Sequence, residues 1–120
     1  MKAGKANCSC TTLEDNLKKA LTELLILHLL GRREYFIKEL TETLEERTKG
    51  VLKLVFPYSA MYRLIQDGHV VEGEKRIAPD GRKRQFYHIT AAGLEYHHQL
   101  LAIYQRFIRS INTILNDPER

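Results

Sequence analysis

From Ala91 to Asp117 the chain keeps one helical hydrophobic period with no break before Asp117-Pro118, and that run constrains everything ahead of it. At 1.5 Å per residue, about 27 residues make a helix of roughly 40 Å, far beyond the ~13 Å radius of gyration of a 100-residue domain. Part of it must project. Read as heptads, Leu94, Leu101, Ile108 and Leu115 take one seam position and His97, Tyr104 and Ile111 the other, while Leu100, Phe107 and Ile114 widen the stripe. An exposed apolar stripe of that size asks for a partner helix, and a second copy of the chain is the simplest supply. The expected dimerisation set is Leu94, Leu101, Tyr104, Ile108, Ile111 and Leu115 on residues 91–116, joined by Leu17 and Leu21 from the first helix.

The remaining residues suffice for one domain, since a chain of 120 residues with 43% hydrophobic content fills one core but hardly two. Residues 1–11 have little apolar content and no period, and are expected to form a flexible tail. At Thr12-Leu13-Glu14-Asp15 a hydroxyl precedes a carboxylate by three residues, a capping-box pattern that predicts the start of a first helix. Leu13, Leu17, Leu21, Leu24 and His28 carry that helix to Gly31. Ile37, Leu40 and Leu44 predict a second helix from about Tyr35 to Arg47, with an acidic wet face of Glu39, Glu42, Glu45 and Glu46 and a stop at Gly50. Val51 to Phe56 reads as a small strand or an extended connection. Pro57 suits the first turn of a third helix, which Tyr58, Met61, Leu64 and Ile65 carry to Asp67-Gly68.

The period then changes from helical to two. His69 to Arg76 and Arg84 to Thr90 flank Ala78-Pro79-Asp80-Gly81-Arg82, a turn in which proline presets φ and glycine accepts a positive value. The hairpin collects the basic excess. The whole chain carries +4, and Lys75, Arg76, Arg82, Lys83 and Arg84 against Asp80 alone put a net +4 on residues 75–84. Three helices, a hairpin with a basic tip and a long last helix give a mainly α fold with a β-hairpin wing, of α+β class. The order is that of a winged helix-turn-helix domain over residues 12–90 followed by a dimerisation helix. In such a domain the third helix enters the major groove and the wing reaches along the backbone or into the minor groove.

Other classes are poorly supported. No stretch approaches the roughly 18 to 20 apolar residues of a membrane span, and the start lacks the apolar core of a signal peptide, so a cytoplasmic location away from membranes is expected. Cys8 and Cys10 are too few for a disulfide framework, and as metal ligands they lack companions. His97 and His98 are adjacent on a helix and point apart, so they are poor joint ligands. No nucleophile with a nearby base, no carboxylate pair on a rigid face and no phosphate-cradling glycine loop stands out, which argues against an enzyme, a metal site and a cofactor. Tyr35, Phe36, Tyr104 and Phe107 read as core and interface ahead of an effector pocket near a dimer axis.

Residues 57–70, Pro-Tyr-Ser-Ala-Met-Tyr-Arg-Leu-Ile-Gln-Asp-Gly-His-Val, resemble the recognition helix of the PadR-like transcriptional regulators, with Tyr58, Arg63, Leu64 and Gly68 matching identically. Arg82-Lys83-Arg84-Gln85-Phe86-Tyr87-His88-Ile89-Thr90-Ala91-Ala92-Gly93 resembles that family's wing return, with Gln85 where a second cation is usual. The resemblance spans about residues 17 to 115 and implies a dimeric repressor on double-stranded operator DNA, released by a small aromatic or hydrophobic effector. It departs at Val51 to Phe56, which is more apolar than the family's usual turn. The expected DNA-contacting residues are Tyr58, Ser59, Tyr62 and Arg63 on the third helix and Arg82, Lys83 and Arg84 on the wing. For Arg63 the competing reading is a solvated face or a partner for a nearby Glu. The competing function is a winged-helix module that binds an acidic protein partner without any operator.

Overall fold

The computed structural model describes the backbone of residues 3–54 and 57–117 and the side chains of residues 11–54 and 57–117. The elements run α1 (Ala3–Leu30), α2 (Ile37–Arg47), α3 (Pro57–Gln66), β1 (Val70–Ile77), β2 (Lys83–Ile89) and α4 (Ala91–Leu115). The core is made where the first three helices meet the start of the hairpin. Ile26, Leu27, Leu40, Met61, Leu64 and Val70 are its fully sealed members, one or two from each element. Among the described residues of α1, burial begins at Thr22, and Ile26, Leu27, Leu29 and Leu30 enter that core.

Two local expectations change, and one alternative falls away. Helix α1 starts at Ala3 and not at Thr12, so Thr12 to Asp15 lie inside a helix and do not cap one. Once the packed end at Leu24 to Leu30 has nucleated a helix, each further residue adds a hydrogen bond, and the Ala- and Lys-containing stretch ahead of it offers no proline to stop propagation. Helix α2 starts at Ile37, because Tyr35 forms an antiparallel bridge with Tyr87 in which the Tyr87 N–H donates to the Tyr35 carbonyl at 3.0 Å. Among the described residues of the connection, Val51 to Leu54 form no strand, and Val55 and Phe56 lie outside the description.

Helix ends follow their chemistry. At the C-terminus of α3, the His69 N–H donates to the Leu64 carbonyl and the Gly68 N–H to the Ile65 carbonyl, with Gly68 at φ +80. This is the Schellman arrangement that a residue free of Cβ favours. Thr90 then caps α4: its Oγ1 accepts from the Gly93 N–H at 3.0 Å and donates to the Gly68 carbonyl at 2.7 Å, while its own N–H donates to the His69 carbonyl at 3.0 Å. Gly93 is buried against that junction, and a Cβ on it would stand 2.1 Å from the His69 carbonyl oxygen and 2.7 Å from Ile89 Cγ1. The two helices are thus locked together through one threonine and one absent side chain.

Helix α4 crosses back over α1 and then leaves the domain. His28 and His97 meet across that crossing, Nδ1 to Nε2 at 3.1 Å. From Ala102 onward every described residue is exposed. The radius of gyration is 17.0 Å, against about 14 Å for a compact chain of this length, and the longest extent is 55 Å. The projection expected from the last helical run is present. The whole is a winged helix-turn-helix with a long C-terminal helix.

Two outcomes follow. Gly93→Ala forces backbone apart from backbone and is expected to cost about 2 kcal/mol, roughly 10 °C in Tm, whereas the exposed neighbour Ala92→Ser changes stability by less than about 0.5 kcal/mol. Thermal melts of both variants check this. Burial, then the imidazoles of His28 and His98, holds the His97 imidazolium below its usual value of 6.5. The fold therefore favours neutral His97, and the resulting stability is complete above pH 6.5 and lost as pH falls through the lower folded value. Melting temperature is expected to fall between pH 7.5 and pH 5, less steeply in His97→Gln; identical profiles would exclude His97 as the source.

Candidate nucleic-acid interface

Helix α3 buries Ala60, Met61 and Leu64 and turns Tyr58, Ser59, Tyr62, Arg63 and Gln66 outward. The spacing leaves no alternative, since the apolar positions recur every three or four residues and the polar ones fall between them. Tyr58, at the first turn, is 68% exposed. The Tyr62 hydroxyl accepts from Gln66 Nε2 at 3.2 Å, one turn on. Arg63 is not merely solvated: its Nε donates to Glu23 Oε2 of α1 at 3.0 Å.

The wing is a two-stranded antiparallel hairpin in which Val70 faces Ile89 and Ile77 faces Lys83, with a bulge between Glu72 and Lys75. Gly73 sits in the bulge where a Cβ would strike the His88 ring at 2.5 Å. The turn is held by Asp80, which accepts from the Arg82 N–H at 3.0 Å and from Arg84 Nη2 at 2.6 Å. Those bonds, that of Arg84 first, keep the Asp80 carboxyl below its ordinary range. The hairpin is pinned to the body by Phe86, which packs edge-on against Phe36 with ring centroids 5.3 Å apart and buries Ala78 beside it. Arg76 lies over the Phe86 ring at 3.6 Å and pairs with Glu34 at 2.9 Å.

The five cations of the wing therefore divide. Arg76 and Arg84 are committed to carboxylates and rings inside the protein, whereas Lys75, Arg82 and Lys83 are exposed and make no ion pair among the described residues. Of the expected trio, Arg82 and Lys83 face solvent and Arg84, half-buried, holds the turn.

Helix α3 and the wing converge. Tyr58, Lys83, Arg84, Gln85 and Tyr87 share one cleft of about 180 Å³ with Phe36, Ile37 and Lys38. Phe36 is the N-cap of α2 and gives no side-chain cap, while Glu39 sets a carboxylate in the first turn next to Lys38. On the other flank of α3, Ser59 and Arg63 share a second cleft, of about 320 Å³, with Lys19 and Thr22 of α1. Lys38 and Lys19 were not among the residues expected from sequence. Their place in the fold marks them, one beside each flank of α3.

The expected dimerisation residues separate into groups. Leu17, Leu21, Tyr104, Ile108 and Ile111 line a groove of about 380 Å³ between α1 and α4, with Phe107 among them. Leu101 lines an adjoining recess with Leu21, His28 and Tyr104. Leu94 lies beside Gly31 and Leu115 at the end of α4, both exposed. Tyr35 and Phe36 are buried in the domain, so they do not join Tyr104 and Phe107. The side chains of Cys8 and Cys10 lie outside the described residues. Among the described residues no three potential ligands gather to hold a metal, and no helix is long and apolar enough to cross a membrane.

Residues 26–99 match the model of the transcriptional regulator PadR-like family. A PadR family transcriptional regulator from Eggerthella lenta superposes with a TM-score of 0.77 at 18% identity, covering 96% of this chain and 99% of the other. A PadR-like transcriptional regulator from Bacillus cereus gives 0.71 at 22% identity over 83% and 96%. A transcriptional regulator from Clostridium thermocellum gives 0.70 at 22% identity over 82% and 93%. No curated protein matches by sequence.

The division of the wing cations sets an expectation. Arg82→Gln and Lys83→Gln should each weaken binding to any duplex and flatten the slope of log affinity against log salt by about 0.9. Arg84→Gln should instead lower Tm and leave that slope nearly unchanged. Binding titrations across salt, with melts of the same variants, distinguish the two roles.

Proposed function

The chain belongs to the PadR-like family of transcriptional regulators, and from that premise we propose that it binds a specific double-stranded operator as a homodimer. We read it as a cytoplasmic repressor that a small aromatic or hydrophobic effector releases. The observation that carries the DNA reading is the shared cleft in which Tyr58 of the recognition helix meets Lys83 of the wing and Lys38 of α2. A duplex lying along α3 meets phosphate-binding groups on that flank, while Ser59, Tyr62 and Arg63 face its base edges. The groups divide the work: Tyr58 donates to a phosphate oxygen, Arg82 and Lys83 neutralise the backbone, and Arg63 reads a base.

The apolar stripe of α4 supports the homodimer. Ile103, Phe107, Ile108 and Ile111 are exposed beside Leu17 of α1, and a second copy related by a two-fold axis would cover them. Two recognition helices so related read half-sites about one helical turn apart. The groove between α1 and α4, lined by Tyr104 and Phe107, supports the effector reading because flat apolar molecules stack on such rings.

The test uses the purified chain and a fluorescent duplex from upstream of its own gene, titrated across salt against an unrelated duplex. Preference for its own upstream sequence by at least about a thousandfold, with a steep loss of affinity as salt rises, is the expected result. Equal and weak binding to both duplexes overturns the operator reading and leaves a protein-interaction module.

A further inference from the structure

Glu23 of α1 stands between the recognition helix and the long helix and holds both. Its Oε2 accepts from Arg63 Nε at 3.0 Å, and its Oε1 accepts from the Tyr96 hydroxyl of α4 at 3.0 Å. The Tyr96 ring is itself stacked on His69, centroids 4.2 Å apart and planes within 13°. The side chain of Glu23 is 20% exposed and that of Arg63 58%. An exposed ion pair between two long side chains is worth little and orients nothing, since both ends wander. Here one end cannot: the carboxylate is fixed by Tyr96, and Tyr96 is fixed by His69 at the α3–β1 junction. Burial, then the Glu23 carboxylate, pushes the Tyr96 phenol up, so it stays a hydrogen-bond donor at any ordinary pH.

We propose that Glu23 is a positioning residue for DNA recognition, which presents Arg63 to a base edge by holding its Nε and leaving the two terminal amino groups pointing outward. This inference rests on the operator reading given above. The geometry selects the mode of contact. With Nε taken, the guanidinium offers its end-on fork, Nη1 and Nη2, the pair that matches O6 and N7 of guanine. The adjacent carboxylate also cancels much of the positive charge, which weakens attraction to phosphates and leaves hydrogen-bond complementarity to decide. An arginine so held contributes to selectivity more than to affinity. A free arginine at the same place would do the reverse.

The test compares wild type, Glu23→Ala, Glu23→Gln, Arg63→Ala and the Glu23→Ala/Arg63→Ala pair, using a duplex selected by the wild type from a random library and the same duplex with single base-pair changes. Glu23→Ala is expected to lower selectivity at one base pair by about tenfold, as Arg63→Ala does. It should also raise affinity for unrelated duplex and steepen the salt slope by up to about 0.9, as Arg63→Ala does not. The double variant should match Arg63→Ala, and Glu23→Gln, which can still accept from Nε, should keep part of the selectivity. In NMR spectra of the free protein, the Arg63 Nε–H signal should be slow to exchange in wild type and fast in Glu23→Ala. Unchanged selectivity in Glu23→Ala, additive losses in the pair, or a fast-exchanging Nε–H in wild type each overturns the proposal while the operator reading stands. Failure of the wild type to select any preferred sequence overturns the operator reading, and the proposal with it.

Discussion

The geometry of this molecule depends on the close approach of Gly93 to the carbonyl of His69. It is a contact that tolerates no side chain, since any Cβ would lie at 2.1 Å from that oxygen. Thr90 bonds the same junction from three directions, reaching Gly68, His69 and Gly93. The C-terminal turn of α3 and the first turn of α4 are therefore one corner. A long helix amplifies angular error: over its 25 residues, about 37 Å, a tilt of ten degrees moves the far end by roughly 6 Å. If α4 sets the distance between two recognition helices, that distance is decided at this corner, far from the surface that α4 presents to a partner.

A second constraint is electrostatic. A basic hairpin tip would be repelled by its own charge and would wander, as an isolated two-stranded ribbon is at best marginally stable. Internal carboxylates and rings remove both problems. Asp80 draws Arg84 and the Arg82 backbone into the turn, Glu34 draws Arg76 to the body, and the Phe36–Phe86 contact fastens the strands to α2. The cations left facing solvent are then carried on a pinned support, so less ordering entropy would oppose binding to a polyanion.

Much of this was legible because it follows from periodicity. Ile37, Leu40 and Leu44, then Met61 and Leu64, fix two helices and their buried faces, and the Pro79-Asp80-Gly81 turn fixes the hairpin. What escaped was long-range or graded. The bridge from Tyr35 to Tyr87 has no local signal, since it is made by residues 52 positions apart, and it moved the start of α2. The start of α1 escaped because propagation of a helix outruns a weak cap. Charge summed along residues 75–84 could not say which cations are neutralised from outside that segment, as Glu34 neutralises Arg76. Glu23 reads from sequence as one more polar residue on a helix. Its significance appears only when α3 and α4 arrive on either side of it.

Helix α1 then serves two surfaces from one short stretch. Between Leu17 and His28 it lines the groove against α4, and from Lys19 to Glu23 it borders the recognition helix. Glu23 and Tyr96 both face the groove while Glu23 also holds Arg63. An occupant of the groove, whether a second copy or a small apolar molecule, must pack against the same tyrosine that fixes the carboxylate. If it shifts Tyr96, the carboxylate loses one of its two anchors, and the change reaches Arg63 through a single residue and no rearrangement of the core. Coupling of this kind needs only a side chain with two alternative partners, and its size is bounded by the hydrogen bonds exchanged, on the order of 1 to 3 kcal/mol. That corresponds to roughly a 5- to 150-fold change in an affinity, and it requires no motion of α3 itself.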